Sequence, residues 1–193
     1  MRSHIITSGL AIALAFSGVI APVVGQPIDR TIAQVDKTSE IDRAIAEGLR
    51  LLQEGSAESL RKAIGQFEKA LELARSAQAK DKQALSLLAL GRLYSALGEK
   101  QKALDYFNQA LPLRRAVGDR GGEATTLNNI GAVYSALGEK QKALDYYNQA
   151  LPLFRAVGDR NGEAVTLDSL ASLLNKQQPD ISIVFYKQSV NLY

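Results

Sequence analysis

Two short segments set carboxylates beside glycines: VGDRGGEA, holding Asp119 and Glu123, and VGDRNGEA, holding Asp159 and Glu163. Such groupings can cradle phosphate, ligate calcium or share a proton during hydrolysis. A phosphate loop needs Gly-Lys-Ser/Thr after a strand, and a calcium loop needs a longer ladder of oxygen ligands closed by Glu. Neither pattern is present. The alternative is structural. Asp119 and Asp159 stand just before helical patterns, where a carboxylate caps free N–H groups, and Glu123 and Glu163 fall in the following first turn, favoured by the helix dipole. The rest of the chemical inventory is thin. The chain has no Cys and a single His, His4, which lies in an N-terminal apolar segment. Without imidazole or thiol elsewhere, most of the usual catalytic apparatus at neutral pH is missing, so a hydrolase is the weakest functional class. No cofactor or metal set is implied.

The elements that carry these segments are repeated. Residues 131–160 copy residues 91–120 at an offset of 40, differing only at Arg92/Ala132, Leu93/Val133, Phe107/Tyr147 and Arg114/Phe154. A fixed period of that length implies a stacked array in which each unit leaves an apolar face for its neighbour to cover. Composition agrees with a folded, soluble array: 46% of the 193 residues are apolar and 22% are charged. The net charge is +3, with Lys and Arg interleaved among Asp and Glu, so no basic stripe for nucleic acid forms.

Along the chain, Arg2 precedes the apolar run from Ile5 to Val24, and small residues follow in VVGQ. That order reads as a secretory signal peptide over residues 1–25, cut ahead of Gln26, with export to the periplasm or beyond. The alternative is an uncleaved membrane anchor over residues 5–24, the one route to a membrane. Residues 26–39 read as a flexible leader, with ordered helix starting near Thr38 or Ser39. After that, two kinds of amphipathic helix alternate. The first places Leu127, Ile130, Val133, Tyr134 and Leu137 at three- and four-residue spacing, then turns at Gly138. The second places Ala143, Tyr147, Ala150, Leu151 and Phe154 on one side and closes at Gly158, with Asp159 and Asn161 offering caps for the next helix. Pro112 and Pro152 fall inside second helices, where recurrence points to a kink that sets the stacking angle.

Leu127, Ile130, Gly131, Tyr134, Ala143, Tyr147 and Ala150 fall where the tetratricopeptide repeat (TPR) family has its large, large, Gly, Tyr, Ala, aromatic and Ala positions. Leu87, Leu90, Gly91, Tyr94, Ala103, Phe107 and Ala110 match one period earlier. The resemblance implies an all-α, right-handed TPR superhelix of three to four antiparallel hairpins. Its boundaries would be a degenerate first repeat at 40–80, full repeats at 81–120 and 121–160, and an incomplete fourth at 161–193. In repeat one, Ala63, Phe67 and Ala70 match a second helix, but Gly48 and Leu51 lie three residues too far upstream, which predicts a longer loop around GSAES. In repeat four, Ser182, Tyr186 and Ser189 match Ala143, Tyr147 and Ala150 at an offset of 39, one residue short. Ile183, Phe185, Val190 and Leu192 would include an uncovered edge, open to self-association. The 40-residue variant is similar to the repeats of cyanobacterial TPR proteins, in many of which a caspase-like CHAT peptidase domain follows the array. That implies an alternative role as the regulatory or targeting arm of a longer peptidase.

In TPR arrays the first helices line a concave face that holds protein or peptide ligands. The matching positions are Leu85, Leu88, Arg92 and Ser95, then Thr125, Asn128, Ala132 and Ser135, then Val165, Asp168 and Ser172. Asn128 could pair with the backbone of an extended peptide, and TLNNIG resembles the groove helix of kinesin light chain repeats. The TPR clamp for a C-terminal carboxylate uses Lys and Asn where this chain has Leu88 and Arg92, so that ligand is not implied. The competing reading is that these residues only solvate the surface.

Overall fold

The computed structural model describes residues 28–175 and 178–192. The expectations for the signal segment, for Gln26 and Pro27 and for Tyr193 fall outside the described residues. Those residues form eight helices and no strand: α1 (Ile28–Glu54), α2 (Ala57–Ser76), α3 (Lys80–Ala96), α4 (Lys100–Ala116), α5 (Arg120–Ala136), α6 (Lys140–Val157), α7 (Arg160–Leu174) and α8 (Pro179–Val190). Successive helices pack as four hairpins, and each hairpin stacks on the next to give an all-α, TPR-type superhelix. Among helices of the same kind, α3 approaches α5 and α5 approaches α7 directly. The first helices therefore occupy the inner side of the curve.

Close approach within each of the first three hairpins depends on one glycine. A Cβ placed on Gly91 would stand 2.4 Å from the Phe107 ring, and one on Gly131 would stand 2.9 Å from the Tyr147 ring. Gly48 repeats the arrangement against Phe67 at 2.9 Å. Ala103 and Ala143 are fully buried opposite, as the small-residue pattern requires. The hairpin turns close at Gly98 and Gly138, whose φ values of 80° and 79° lie in the left-handed region that L side chains avoid. Tyr94 and Tyr134 each take part in a stack with the next helix, 5.3 Å from Tyr106 and 5.5 Å from Tyr146, with Lys102 over the Tyr94 ring and Lys142 over the Tyr134 ring.

Four local expectations are corrected. Helix α1 begins at Ile28, not near Ser39, because no Gly or Pro interrupts residues 28–47 and helix propagation adds a hydrogen bond for each residue fixed. Ser39 consequently lies inside the helix, and the flexible leader does not extend over residues 28–39. Repeat one has no longer loop. Only Gly55 and Ser56 connect α1 to α2, and α2 begins six residues before Ala63, whereas α4 begins three before Ala103. The extra residues form an additional helical turn, capped by Ser56 Oγ, which accepts from Ser59 N at 3.0 Å. Asn161 is not a cap: Asp159 takes that role, accepting from Gly162 N at 2.9 Å.

Pro112 and Pro152 do not end their helices. α4 runs on to Ala116 and α6 to Val157. Each proline deprives the carbonyl four residues back, on Asn108 or Asn148, of its helical donor, and both asparagines are solvent-exposed, so water can serve instead. In α8 serines replace the small apolar residues at the hairpin contact. Ser182 is buried and donates to Ala171 O at 2.8 Å; Ser189 is buried with its hydroxyl oxygen 3.0 Å from Tyr186 O. Phe185 and Leu192 pack inward against the cluster of Tyr147, Leu167 and Leu170, leaving Ile183 and Val190 as the exposed members of the expected edge.

Candidate peptide-binding groove

The inner face is set by a strict division within each first helix. In α5, Ala124, Thr126, Leu127, Ile130 and Val133 are buried, while Thr125, Asn128, Ala132 and Ser135 stay on the accessible side. α3 and α7 divide in the same way, so all eleven groove positions lie on the accessible side of α3, α5 and α7. They do not form one uniform surface.

At the N-terminal end, Leu85, Leu88 and Arg92 line a concavity of about 410 Å³ together with Leu49, Leu52, Leu60, Ala89, Leu93 and Ala96. Its wall is almost wholly apolar, and the exposed guanidinium of Arg92 is its one charge. At the C-terminal end, Ser135, Val165, Asp168 and Ser172 line a second concavity of about 340 Å³ with Tyr147 and Ser169. This one is hydroxyl-rich. Burial pushes the Tyr147 hydroxyl above the ordinary tyrosine value, against a hydrogen bond with Ser169 that pulls it down. The phenol therefore stays a neutral donor and acceptor across the physiological range.

Between the two ends, the side chains expected to face a ligand are partly engaged by the protein itself. Thr125 Oγ1 donates to Gly121 O at 2.9 Å. Thr166 Oγ1 on α7 donates to Gly162 O at 2.7 Å and stands 3.1 Å from Asn128 Oδ1, so one side of the Asn128 amide is held by the next repeat. Asp168 accepts from the hydroxyl of Ser189, which ties the groove carboxylate to α8. Ser95, Ala132 and Ser172 lie outside these contacts. Leu49, Leu52 and Leu60 were not foreseen as groove residues, since repeat one matches the repeat pattern poorly; the three-residue displacement of Gly48 was the available signal.

The carboxylates of the VGDR segments have structural partners. Asp119 caps α5, accepting from Gly122 N at 2.8 Å, and its second oxygen is 2.6 Å from Arg114 Nη1. Glu123 and Glu163 accept from Arg115 and Arg155, each at 2.6 Å. No group of three or more His, Cys, Asp or Glu side chains gathers to hold a metal among the described residues. Nor is any described helix long and apolar enough to cross a membrane.

Comparison with known proteins agrees with this architecture. Among characterised proteins compared by sequence, none matches the chain. The solved structure of BtubC (BKLC) from P. vanneervenii is similar, with a TM-score of 0.55 at 19% identity, covering 83% of this chain and 73% of that one. At that identity the likeness concerns the fold. The sequence pattern of the tetratricopeptide repeat matches residues 56–116, 113–156 and 122–193, which together take in most of the array. With four stacked hairpins, a glycine under an aromatic ring in each of the first three and a first-helix inner face, the chain belongs to the tetratricopeptide repeat family.

Proposed function

We propose that this chain is an exported interaction scaffold that holds an extended protein segment along its inner face and self-associates through its C-terminal end. The observation that carries the binding reading is the apolar concavity at Leu49, Leu52, Leu60, Leu85 and Leu88 with Arg92 on it. TPR proteins generally bind protein partners, and exposed apolar concavities rimmed by polar groups mark binding sites. The chemistry favours a peptide that presents large apolar side chains beside an acidic group, followed by backbone and polar groups toward Ser135 and Asp168. Selection of a displayed random-peptide library against the purified array supplies the ligand. Because Leu49 and Arg92 are both exposed, the double substitution Leu49→Ser, Arg92→Glu should leave helix content unchanged while weakening selected peptides at least about tenfold. Unaltered affinity would remove the site. Asn128→Ala is a poorer probe, since it also removes the contact with Thr166 on α7.

Export rests on the order of Arg2, the Ile5–Val24 apolar run and the small residues of VVGQ. N-terminal sequencing of the secreted protein should begin at Gln26, and an intact Met1 would sink that reading. A second reading, the arm of a longer CHAT-type peptidase, is favoured by one observation. Ile183 and Val190 are exposed, whereas Leu151, the counterpart of Val190, is buried. Translating the reading frame past Tyr193 separates the two.

A further inference from the structure

We infer that two copies of this chain pair through the outer faces of their α8 helices, antiparallel about a two-fold axis passing between Ile183 and Val184. This rests on the self-association reading above and gives it a partner and a register.

The argument begins with a residue out of place. At an offset of 39, Val184 stands where α6 has Asp145, and one period earlier α4 has Asp105 and α2 has Gly65. All three earlier positions are exposed, although each of those helices is followed by another hairpin. In α4 and α6 the aspartate receives a hydrogen bond from the preceding Gln101 or Gln141, as expected of a solvated face. Stacking of one repeat on the next therefore leaves this position open. Val184 is 50% exposed, and a further hairpin stacked in the same way would leave it so. Ile183, also 50% exposed, and Val190, 70% exposed, border it about 100° and about 120° round the helix, so the exposed apolar surface runs from the lateral side to the stacking side. A lateral partner, not a stacked one, is what Val184 fits.

The charges on this face select a second copy. α8 carries Asp180 in its first turn and Lys187 in its last, both exposed, and neither has an ion-pair partner among the described residues. With 100° per residue, Asp180, Val184 and Lys187 point the same way, and the two charges lie equally far from the midpoint between Ile183 and Val184. Antiparallel pairing about that midpoint sets Asp180 of each copy against Lys187 of the other and Ile183 against Val184. The face is complementary to itself under a two-fold rotation, as an isologous contact requires. At the α1 end, by contrast, Arg50 pairs with Glu47 and Glu54, and Asp42 pairs with Lys82.

A 12-residue helix is about 18 Å long, so the contact is smaller than a standard interface and the dimer is weak, with a dissociation constant on the order of 10–100 µM. Sedimentation equilibrium of the full chain from about 5 µM to about 1 mM is expected to show monomer and dimer in that range. Val184→Asp, which restores the residue type found in α4 and α6 and therefore should not disturb folding, is expected to abolish the dimer. Lys187→Asp should weaken it by about tenfold or more through two like-charge contacts, and the double exchange Asp180→Lys, Lys187→Asp should restore it. A dimer indifferent to Val184→Asp and to charge reversal would overturn the α8 register while leaving self-association standing. A chain monomeric at every concentration would overturn both.

Discussion

Gly91 and Gly65 are both helical glycines and carry opposite consequences. An alanine at either position gains about 1 kcal/mol of intrinsic helix preference. At Gly91 the added Cβ would lie 2.4 Å from a buried Phe107 ring carbon, and the ring has no free space into which to swing because it fills the hairpin contact. Near Gly65 nothing lies within 4 Å. Gly65→Ala is expected to stabilise the array by about 0.5–1 kcal/mol, and Gly91→Ala to destabilise it by about 1–3 kcal/mol, read from chemical melts. If both raised the midpoint, the glycines would be matters of composition and not of packing.

Helix ends offer the corresponding test for whole elements. Asp119 and Asp159 both cap, but Asp119 also pairs with Arg114, whose side chain is 11% exposed, whereas Phe154 fills that place beside Asp159. Losing a cap costs about 1 kcal/mol, and leaving a mostly buried guanidinium without its carboxylate adds to that. Asp119→Ala is thus expected to lower stability by about 2–3 kcal/mol and Asp159→Ala by about 1 kcal/mol; equal losses would mean that the Arg114 pair contributes nothing. This asymmetry was half legible from the chain, which displays Arg114 against Phe154 but not what either touches. Repeats two and three were readable because Gly131, Ala143 and Tyr147 answer to contacts inside one hairpin, where spacing fixes geometry. The extra turn of α2 was not, since three surplus residues fit a loop or a helix equally well until Ser56 is seen to cap. The tether between Thr166 and Asn128 depends on the angle between hairpins, which no local spacing encodes. The apolar groove end failed to show for the same reason, as Leu49, Leu60 and Leu88 come from three separate helices.

For the molecule as a whole, closely similar contacts recur from one interface to the next, so stability is expected to grow by comparable steps with each hairpin. The glycines at the start of α5 and α7 show how far this goes. A Cβ on Gly122 would meet Arg114, and one on Gly162 would meet Phe154; the same empty place admits a charged chain at one joint and an aromatic ring at the next. Removing residues 121–160 would join Arg120 to Asn161 and recreate the VGDRNGEA joint, with Asp119 placed to cap at Gly162 and Arg115 placed to reach Glu163. The shortened chain is expected to fold as three hairpins, with a single melting transition at a lower temperature. Loss of helical signal beyond the missing unit would refute the equivalence of the joints. Length in such a chain behaves as a whole number that can change by one without any new interface being invented. Unequal exchange between the two near-identical segments would produce that change in a single event, handing a shorter or longer groove to whatever the protein holds.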